Sequence, residues 1–160
     1  MLMNHAGLTP PVDGRQSERA SFVARGVGRL LRARGFAVVS ELALATGRRA
    51  DIVGLGSGGD IWIVEIKSSV EDFRVDQKWP DYRFSCDRLF FATHADVPAH
   101  IFPEDAGFIL ADRFGADVLR EAPEHRLPGA TRKAMLVRFA QTAAIRLHGL
   151  VDPEAGGDLF

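Results

Sequence analysis

Two short runs of sequence decide the fold, Arg49-Ala50-Asp51-Ile52-Val53 and Ile61-Trp62-Ile63-Val64-Glu65-Ile66-Lys67. Both runs are rich in branched and aromatic residues, which is typical of buried β-strands. The glycine-rich segment 56–59 lies between them and predicts a tight turn. The two strands therefore pair as an antiparallel hairpin, and this hairpin places Asp51 beside Glu65.

The charged residues of this hairpin predict a divalent-metal site. Burying unpaired charge costs roughly several kcal/mol, so such a cluster is usually held by an ion, by mutual pairing or by function. Asp51 and Glu65 supply carboxylate oxygens and Ile66 a backbone carbonyl, which suits Mg²⁺, with Mn²⁺ as a substitute. Side chains alternate along a strand, so Lys67 shares a face with Glu65 and could orient or deprotonate water, or stabilise charge on a phosphate.

The alternative for these residues is an ordinary cross-strand ion pair on a solvated face. On such a face polar residues usually continue to alternate along the strand. The residues that precede Glu65 are Ile61, Trp62, Ile63 and Val64, which are all apolar. This pattern favours the metal site.

The rest of the chain predicts one α/β domain with a mixed central sheet flanked by helices. We expect a loose N-terminal segment over residues 1–14, the domain over 15–149 and a tail over 150–160. The expected elements are a helix over 17–34, strands over 36–42, 50–55 and 60–67, a helix over 71–84 that starts late or kinks at Pro80, strands over 88–93 and 107–111, and a helix over 130–147.

Composition restricts the cellular setting and says little about the ligand. The formal net charge is −1, but six arginines and a single acid lie between Arg15 and Arg34, and four basic residues and no acid between Leu127 and Gly149. The single cysteine, Cys86, excludes an internal disulfide and fits a reducing compartment. Neither a signal peptide nor an apolar stretch of about 20 residues is present, so we expect a cytoplasmic protein without a membrane partner.

Beyond the hairpin, several longer segments carry a family resemblance. They are Arg48-Arg49-Ala50-Asp51-Ile52-Val53, Trp62-Ile63-Val64-Glu65-Ile66-Lys67-Ser68-Ser69, Asp76-Gln77-Lys78-Trp79-Pro80-Asp81-Tyr82 and Cys86-Asp87-Arg88-Leu89-Phe90-Phe91-Ala92. The order of elements resembles the PD-(D/E)XK nuclease superfamily, and the stretch from Gly47 to Thr93 is similar to the MmcB-like family of bacterial DNA repair proteins. Ala50 stands where the superfamily carries a proline, at a position that is not a ligand.

The resemblance implies a restriction-endonuclease-like fold, a DNA substrate and metal-dependent phosphodiester cleavage. Asp51, Glu65 and Lys67 would occupy the catalytic positions. Related nucleases often carry an acid on the first helix near the metal, which here would be Glu18. Its alternatives are a solvated first-turn glutamate that complements the helix dipole, or Glu41 in the same role.

Four further residues are candidates for DNA binding. Arg48 and Arg49 adjoin Asp51 and could hold the scissile phosphate, or could instead pair with the acidic cluster. Lys78 and Tyr82 are four residues apart, so they share a face if this segment is helical. The resemblance implies that this face places DNA near the metal; otherwise they are a surface lysine and a half-buried tyrosine.

The sequence thus predicts a Mg²⁺-dependent DNA nuclease that acts in DNA repair, with DNA and other repair proteins as partners. A non-catalytic DNA-binding or recruitment subunit that retains the fold is the alternative. A third possibility is an α/β domain in which the charged cluster is only a structural ion pair. The sequence does not determine the oligomeric state.

Overall fold

The computed structural model describes residues 14–155, with side chains from residue 18 onward. The α-helices of this part of the chain are α1 (Gly14–Ala33), α2 (Val70–Val75) and α3 (Gly129–Val151). The strands are β1 (Ala37–Ala43), β2 (Arg49–Leu55), β3 (Ile61–Ile66), β4 (Arg88–Thr93), β5 (Gly107–Ala111) and β6 (Ala116–Arg120). Short 3₁₀ helices cover Trp79–Ser85 and Ala99–Ile101.

The strands form one mixed sheet in the order β1-β2-β3-β4-β5-β6. β1, β2 and β3 pair antiparallel, β3, β4 and β5 pair parallel, and β6 returns antiparallel to β5. The predicted class, an α/β fold with a mixed central sheet flanked by helices, is confirmed, and the arrangement is consistent with a restriction-endonuclease-like core.

Each face of the sheet carries its own apolar core. On one face Val23, Val27 and Leu31 of α1 pack among Val64, Phe90 and other buried strand residues. On the opposite face Met135 and Phe139 of α3 pack with Ile63 and Leu89. The alternation of side chains along β3 and β4 feeds both cores, because neighbouring residues point to opposite faces.

Close packing explains one of the two glycines inside α1. A Cβ atom on Gly26 would lie 2.2 Å from the carbonyl oxygen of Asp112 and 2.4 Å from that of Gly115, so only glycine fits against the β5–β6 turn. A Cβ atom on Gly28 would meet nothing within 4 Å. Packing of α1 against the sheet therefore requires glycine at position 26 but not at position 28.

A buried ion pair fixes the start of α3. Arg132 binds both carboxylate oxygens of Asp87 at 2.7 and 2.6 Å, and Asp87 also accepts the backbone N–H groups of Ile61 and Leu127. Burial by itself would raise the pKa of Asp87, but these donors outweigh it and hold the pKa below its ordinary value. Arg132 is thus committed to structure.

The structure differs from the predicted elements in three places. The helix expected over 71–84 is divided into α2 and a 3₁₀ helix, because Pro80 lacks an N–H donor and fits only near the start of a helix. β6 was not predicted, since an edge strand with half-exposed residues carries little apolar signal. α3 continues to Val151, so the predicted tail begins as helix.

The predicted loose segment lies outside the described residues except for Gly14, as do residues 156–160 of the predicted tail. α3 is 23 residues long, yet no helix in the described part of the chain is both long and apolar enough to cross a membrane.

Candidate metal and active site

The hairpin brings Asp51 and Glu65 side by side, as its register predicts. Ile52 pairs with Val64, so the next residues outward, Asp51 and Glu65, face each other. The Asp51 N–H donates to Oε1 of Glu65 at 3.1 Å, and the Ile66 N–H donates to Oδ2 of Asp51 at 2.8 Å. Each carboxylate is therefore oriented by a backbone donor from the strand opposite.

Burial of this pair disfavours its ionisation. Burial, together with the charge of the neighbouring Asp51 carboxylate, raises the pKa of Glu65 to about 8. Burial likewise raises the pKa of Asp51 to about 6, against the Ile66 hydrogen bond, which lowers it. The ammonium of Lys67 lowers both pKa values without compensating the burial. With both carboxylates ionised, the site would hold more negative charge than Lys67 balances, and a bound cation would favour that ionised state.

Lys67 is buried and held by Asp76, a residue that the sequence did not single out. Its Nζ lies 2.7 Å from Oδ2 of Asp76, with exposed side-chain fractions of 7% for Lys67 and 18% for Asp76. The Lys67 backbone is pinned too, because its N–H donates to the Ala92 carbonyl and its carbonyl accepts from the Thr93 hydroxyl. Asp76 caps the C-terminal end of α2. It therefore takes its position from the end of α2, at the point where the predicted longer helix is interrupted.

These residues line a cleft of about 700 Å³ at the end of the sheet, between α1 and α2. It is strongly acidic, since the carboxylates outnumber the cations Arg48 and Lys67. The lining carboxylates are Glu41, Asp51, Glu65, Asp72 and Asp76. Asp72 is engaged locally, because it accepts the Ser68 N–H at 3.0 Å.

Glu41 stands out in this cleft because its backbone is strained. Its φ of 51° lies in the left-handed region, which costs a residue other than glycine about 1–2 kcal/mol. Val39 and Leu42 are three residues apart and both pack in the α3-side core, so the strand's alternation breaks between them. By register Glu41 lies opposite Asp51, and its charge raises the pKa of that residue.

Glu18 is exposed and does not line the cleft, whereas Ala20, Ser21 and Ala24 of the same helix do. The cleft acid nearest to the role expected of Glu18 is Glu41. The sequence identifies Glu41 as an alternative to Glu18, but it does not show that a positive φ at Glu41 breaks the alternation of β1.

The four predicted DNA-binding residues surround a second hollow next to the cleft. Arg48, Arg49, Lys78 and Tyr82 all line it. Lys78 is exposed and Tyr82 is buried, with the Tyr82 hydroxyl donating to the Arg49 carbonyl at 3.1 Å. The segment is 3₁₀ rather than α-helical, yet both residues still reach the same hollow.

Both arginines have carboxylate partners, but only the partner of Arg49 lines the acidic cleft. Arg48 Nε lies 3.1 Å from Oδ2 of Asp81, and Arg49 Nε lies 3.7 Å from Oε2 of Glu41. Arg49 remains largely exposed, so its pairing is weak in solvent and leaves it accessible to another anion.

The donor set of the cleft fits a hard divalent cation that keeps several waters. Within residues 14–155 no three His, Cys, Asp or Glu side chains form a metal-binding group by themselves. Asp51 and Glu65 each engage one oxygen with a backbone N–H, and no fully buried side-chain oxygen in this part of the chain lacks a partner, so their second oxygens open on the cleft. Two carboxylates completed by water and substrate phosphate are a usual environment for Mg²⁺.

The fold and this cleft together define an α/β domain with a candidate cation site at the edge of a mixed sheet. The chain belongs to the MmcB-like DNA repair protein family, whose family model matches residues 8–154. The family resemblance of the sequence is thereby confirmed, and it indicates a role in DNA repair and interaction with DNA.

One solved structure is similar over most of both chains. It is described as the SPO1766 protein of unknown function from Silicibacter pomeroyi, and it is 44% identical in sequence. The match covers 89% of this chain and 97% of that one, with a TM-score of 0.84. Comparison with curated proteins found no match.

Proposed function

We propose that this protein is a metal-dependent DNA nuclease that hydrolyses phosphodiester bonds in DNA repair. The observation that carries the proposal is the adjacency of Asp51 and Glu65 at an open cleft, with the buried ammonium of Lys67 beside them. Family membership supports DNA as the substrate. The superfamily resemblance of the motif supports hydrolysis as the reaction.

The two carboxylates would hold Mg²⁺, or Mn²⁺ in its place, with the carbonyl of Ile66 as the expected third protein ligand. When bound, such an ion supplies Lewis-acid chemistry, which activates water and stabilises negative charge on a phosphate. The backbone donors on Asp51 and Glu65 keep both carboxylates oriented before substrate arrives. This orientation spares the reaction a rearrangement of the site.

Lys67 would act on the reacting phosphate or on the water that attacks it. Its side chain is buried and tethered to Asp76, so the ammonium is held in one place rather than sampling solvent. A fixed positive charge that is itself shielded from solvent stabilises the charge that develops on the phosphate oxygens. Asp76 thus serves as a positioning residue for Lys67.

Arg48, Arg49 and Lys78 would hold the DNA strand on the side of the cleft where β2 begins. Arginine presents a planar set of donors that matches a phosphate, and lysine meets it as a point charge. Tyr82 shapes the wall between this hollow and the cleft, because it lines both. Its hydroxyl is engaged with a backbone carbonyl, so its contribution is to position that wall.

The test is cleavage of end-labelled duplex, single-stranded, flap and abasic DNAs with Mg²⁺, Mn²⁺ or EDTA. We expect metal-dependent products with the wild type and none with Lys67→Ala. Glu104→Gln, an exposed substitution away from the cleft, is the control and should cleave as the wild type does. Binding without cleavage on every DNA would instead support a non-catalytic DNA-binding or recruitment subunit.

A further inference from the structure

A third, larger concavity lies on the α3 side of the hairpin. It has a volume of about 1090 Å³ and runs between α3 and the β1–β2 edge. We call it the α3 groove. Its cations outnumber its acids, since Glu41 is the one carboxylate among the residues that line it. The lining cations are Arg48, Arg49, Lys133, Arg138 and Arg146.

The positive charge on the α3 wall has no carboxylate partner in the described part of the chain. Arg138 donates to the Ala43 carbonyl, and Arg146 donates to the carbonyls of Ser40 and Glu41. These contacts anchor α3 to β1 but do not neutralise the guanidinium groups, which retain further donors. Lys133 is exposed and forms no ion pair with any described residue.

Two of the arginines in the basic segment around α1 differ in this respect. Arg19 pairs with Asp96 and Arg34 pairs with Glu121, so part of that charge is already balanced. α1 also packs on the opposite face of the sheet from α3. Of the two basic segments found in the sequence, the one on α3 is the one that lines a large basic groove beside the hairpin.

The α3 groove adjoins the acidic cleft. Arg48 and Glu41 line both, and Arg48 also lines the hollow that contains Lys78. A polyanion seated along α3 would thus lead directly to the carboxylates of Asp51 and Glu65.

Apolar side chains between the cations indicate which form of nucleic acid fits. Val137 and Ile145 line the groove with exposed fractions of 49% and 36%. A single strand can cover such side chains with its unpaired bases, whereas a duplex keeps its bases stacked and presents phosphates. Resting on the proposed nuclease function, we propose that the α3 groove binds single-stranded DNA that extends from the scissile phosphate.

Binding of labelled oligo-dT in EDTA, followed by fluorescence anisotropy, tests this without cleavage. For Lys133→Gln/Arg146→Gln we expect about tenfold weaker binding at about 0.15 M salt. The slope of log K against log salt should become shallower by about 1.4, because two phosphate contacts are lost at about 0.7 each. Arg25→Gln/Arg32→Gln on α1 removes the same charge from the opposite face, and it should bind within about twofold of the wild type.

Arg146 also anchors α3, so a second variant, Lys133→Glu, is needed. The Lys133 side chain is exposed, and its charge can be reversed without disturbing packing. It should weaken oligo-dT binding at unchanged melting temperature. Wild-type affinity in both groove variants, or an equal loss in the α1 variant, would overturn the proposal. So would an equal loss for duplex DNA, which would assign the groove to paired strands. Failure of the nuclease function is seen separately, as absent cleavage with binding that still depends on α3.

Discussion

Replacing Glu65 by glutamine should stabilise the metal-free protein, and the effect should depend on pH. Glutamine has the shape of the protonated acid, and its carbonyl can still accept the Asp51 N–H. Burial raises the pKa of Glu65 from 4.5 to about 8 in the folded chain. Because this carboxyl pKa is raised, the contribution of Glu65 to stability is greatest below pH 4.5 and is lost as pH rises toward 8.

The magnitude follows from this pH window. Above pH 4.5 the unfolded chain releases the proton that the folded chain retains, and each pH unit costs about 1.4 kcal/mol. At pH 7 the penalty on the wild type is about 3 kcal/mol, and at pH 5 it is below about 1 kcal/mol. The variant cannot ionise and avoids this penalty, so its advantage should grow between those two pH values.

The assay is urea unfolding of both proteins in EDTA at pH 5, 6 and 7, with the exposed Glu104→Gln as control. The control should stay within about 0.5 kcal/mol of the wild type. Mg²⁺ at about a thousand times Kd should then reverse the order at pH 7, because binding to the folded wild type alone adds about 4.1 kcal/mol, which exceeds the penalty of about 3 kcal/mol. A variant that is less stable at pH 7, by an amount independent of pH, would refute the reasoning and identify a structural ion pair with Lys67.

Four further substitutions test the site and the packing that supports it. Asp76→Asn should lower the cleavage rate about 10²-fold at unchanged DNA affinity, because Lys67 loses its tether; a loss confined to binding would contradict this, and single-turnover kinetics separates the two. Gly26→Ala should lower the free energy of unfolding by more than about 2 kcal/mol, because its Cβ would clash with backbone oxygens, whereas Gly28→Ala should raise it by up to about 1 kcal/mol. Equal urea midpoints for the two variants would contradict the close packing of Gly26. Arg132→Met should lower the free energy of unfolding by about 3–5 kcal/mol, because it leaves the buried carboxylate of Asp87 without its charged partner. A melting temperature close to that of the wild type would contradict this structural role.

The hairpin and the placement of its two carboxylates could be predicted because they depend on neighbours in sequence. Apolar runs, a glycine-rich turn and period-two alternation suffice to set the register that faces Asp51 with Glu65. β4 and β5 have their predicted bounds for the same reason, since both are continuous buried strands. The prediction of one helix over 71–84 was wrong, because Pro80 and the packing of its neighbours compete with the helical pattern of this segment.

The sequence by itself determined the fold class, the family and the pair of carboxylates at the centre of the candidate site. Tertiary structure alone decided that Asp76 holds Lys67, that Glu41 rather than Glu18 lines the cleft, and that Arg132 serves the frame. Each of these depends on a contact between distant segments or on a strained backbone angle. Local sequence carries propensity and periodicity, whereas such contacts exist only once the sheet and its helices have packed.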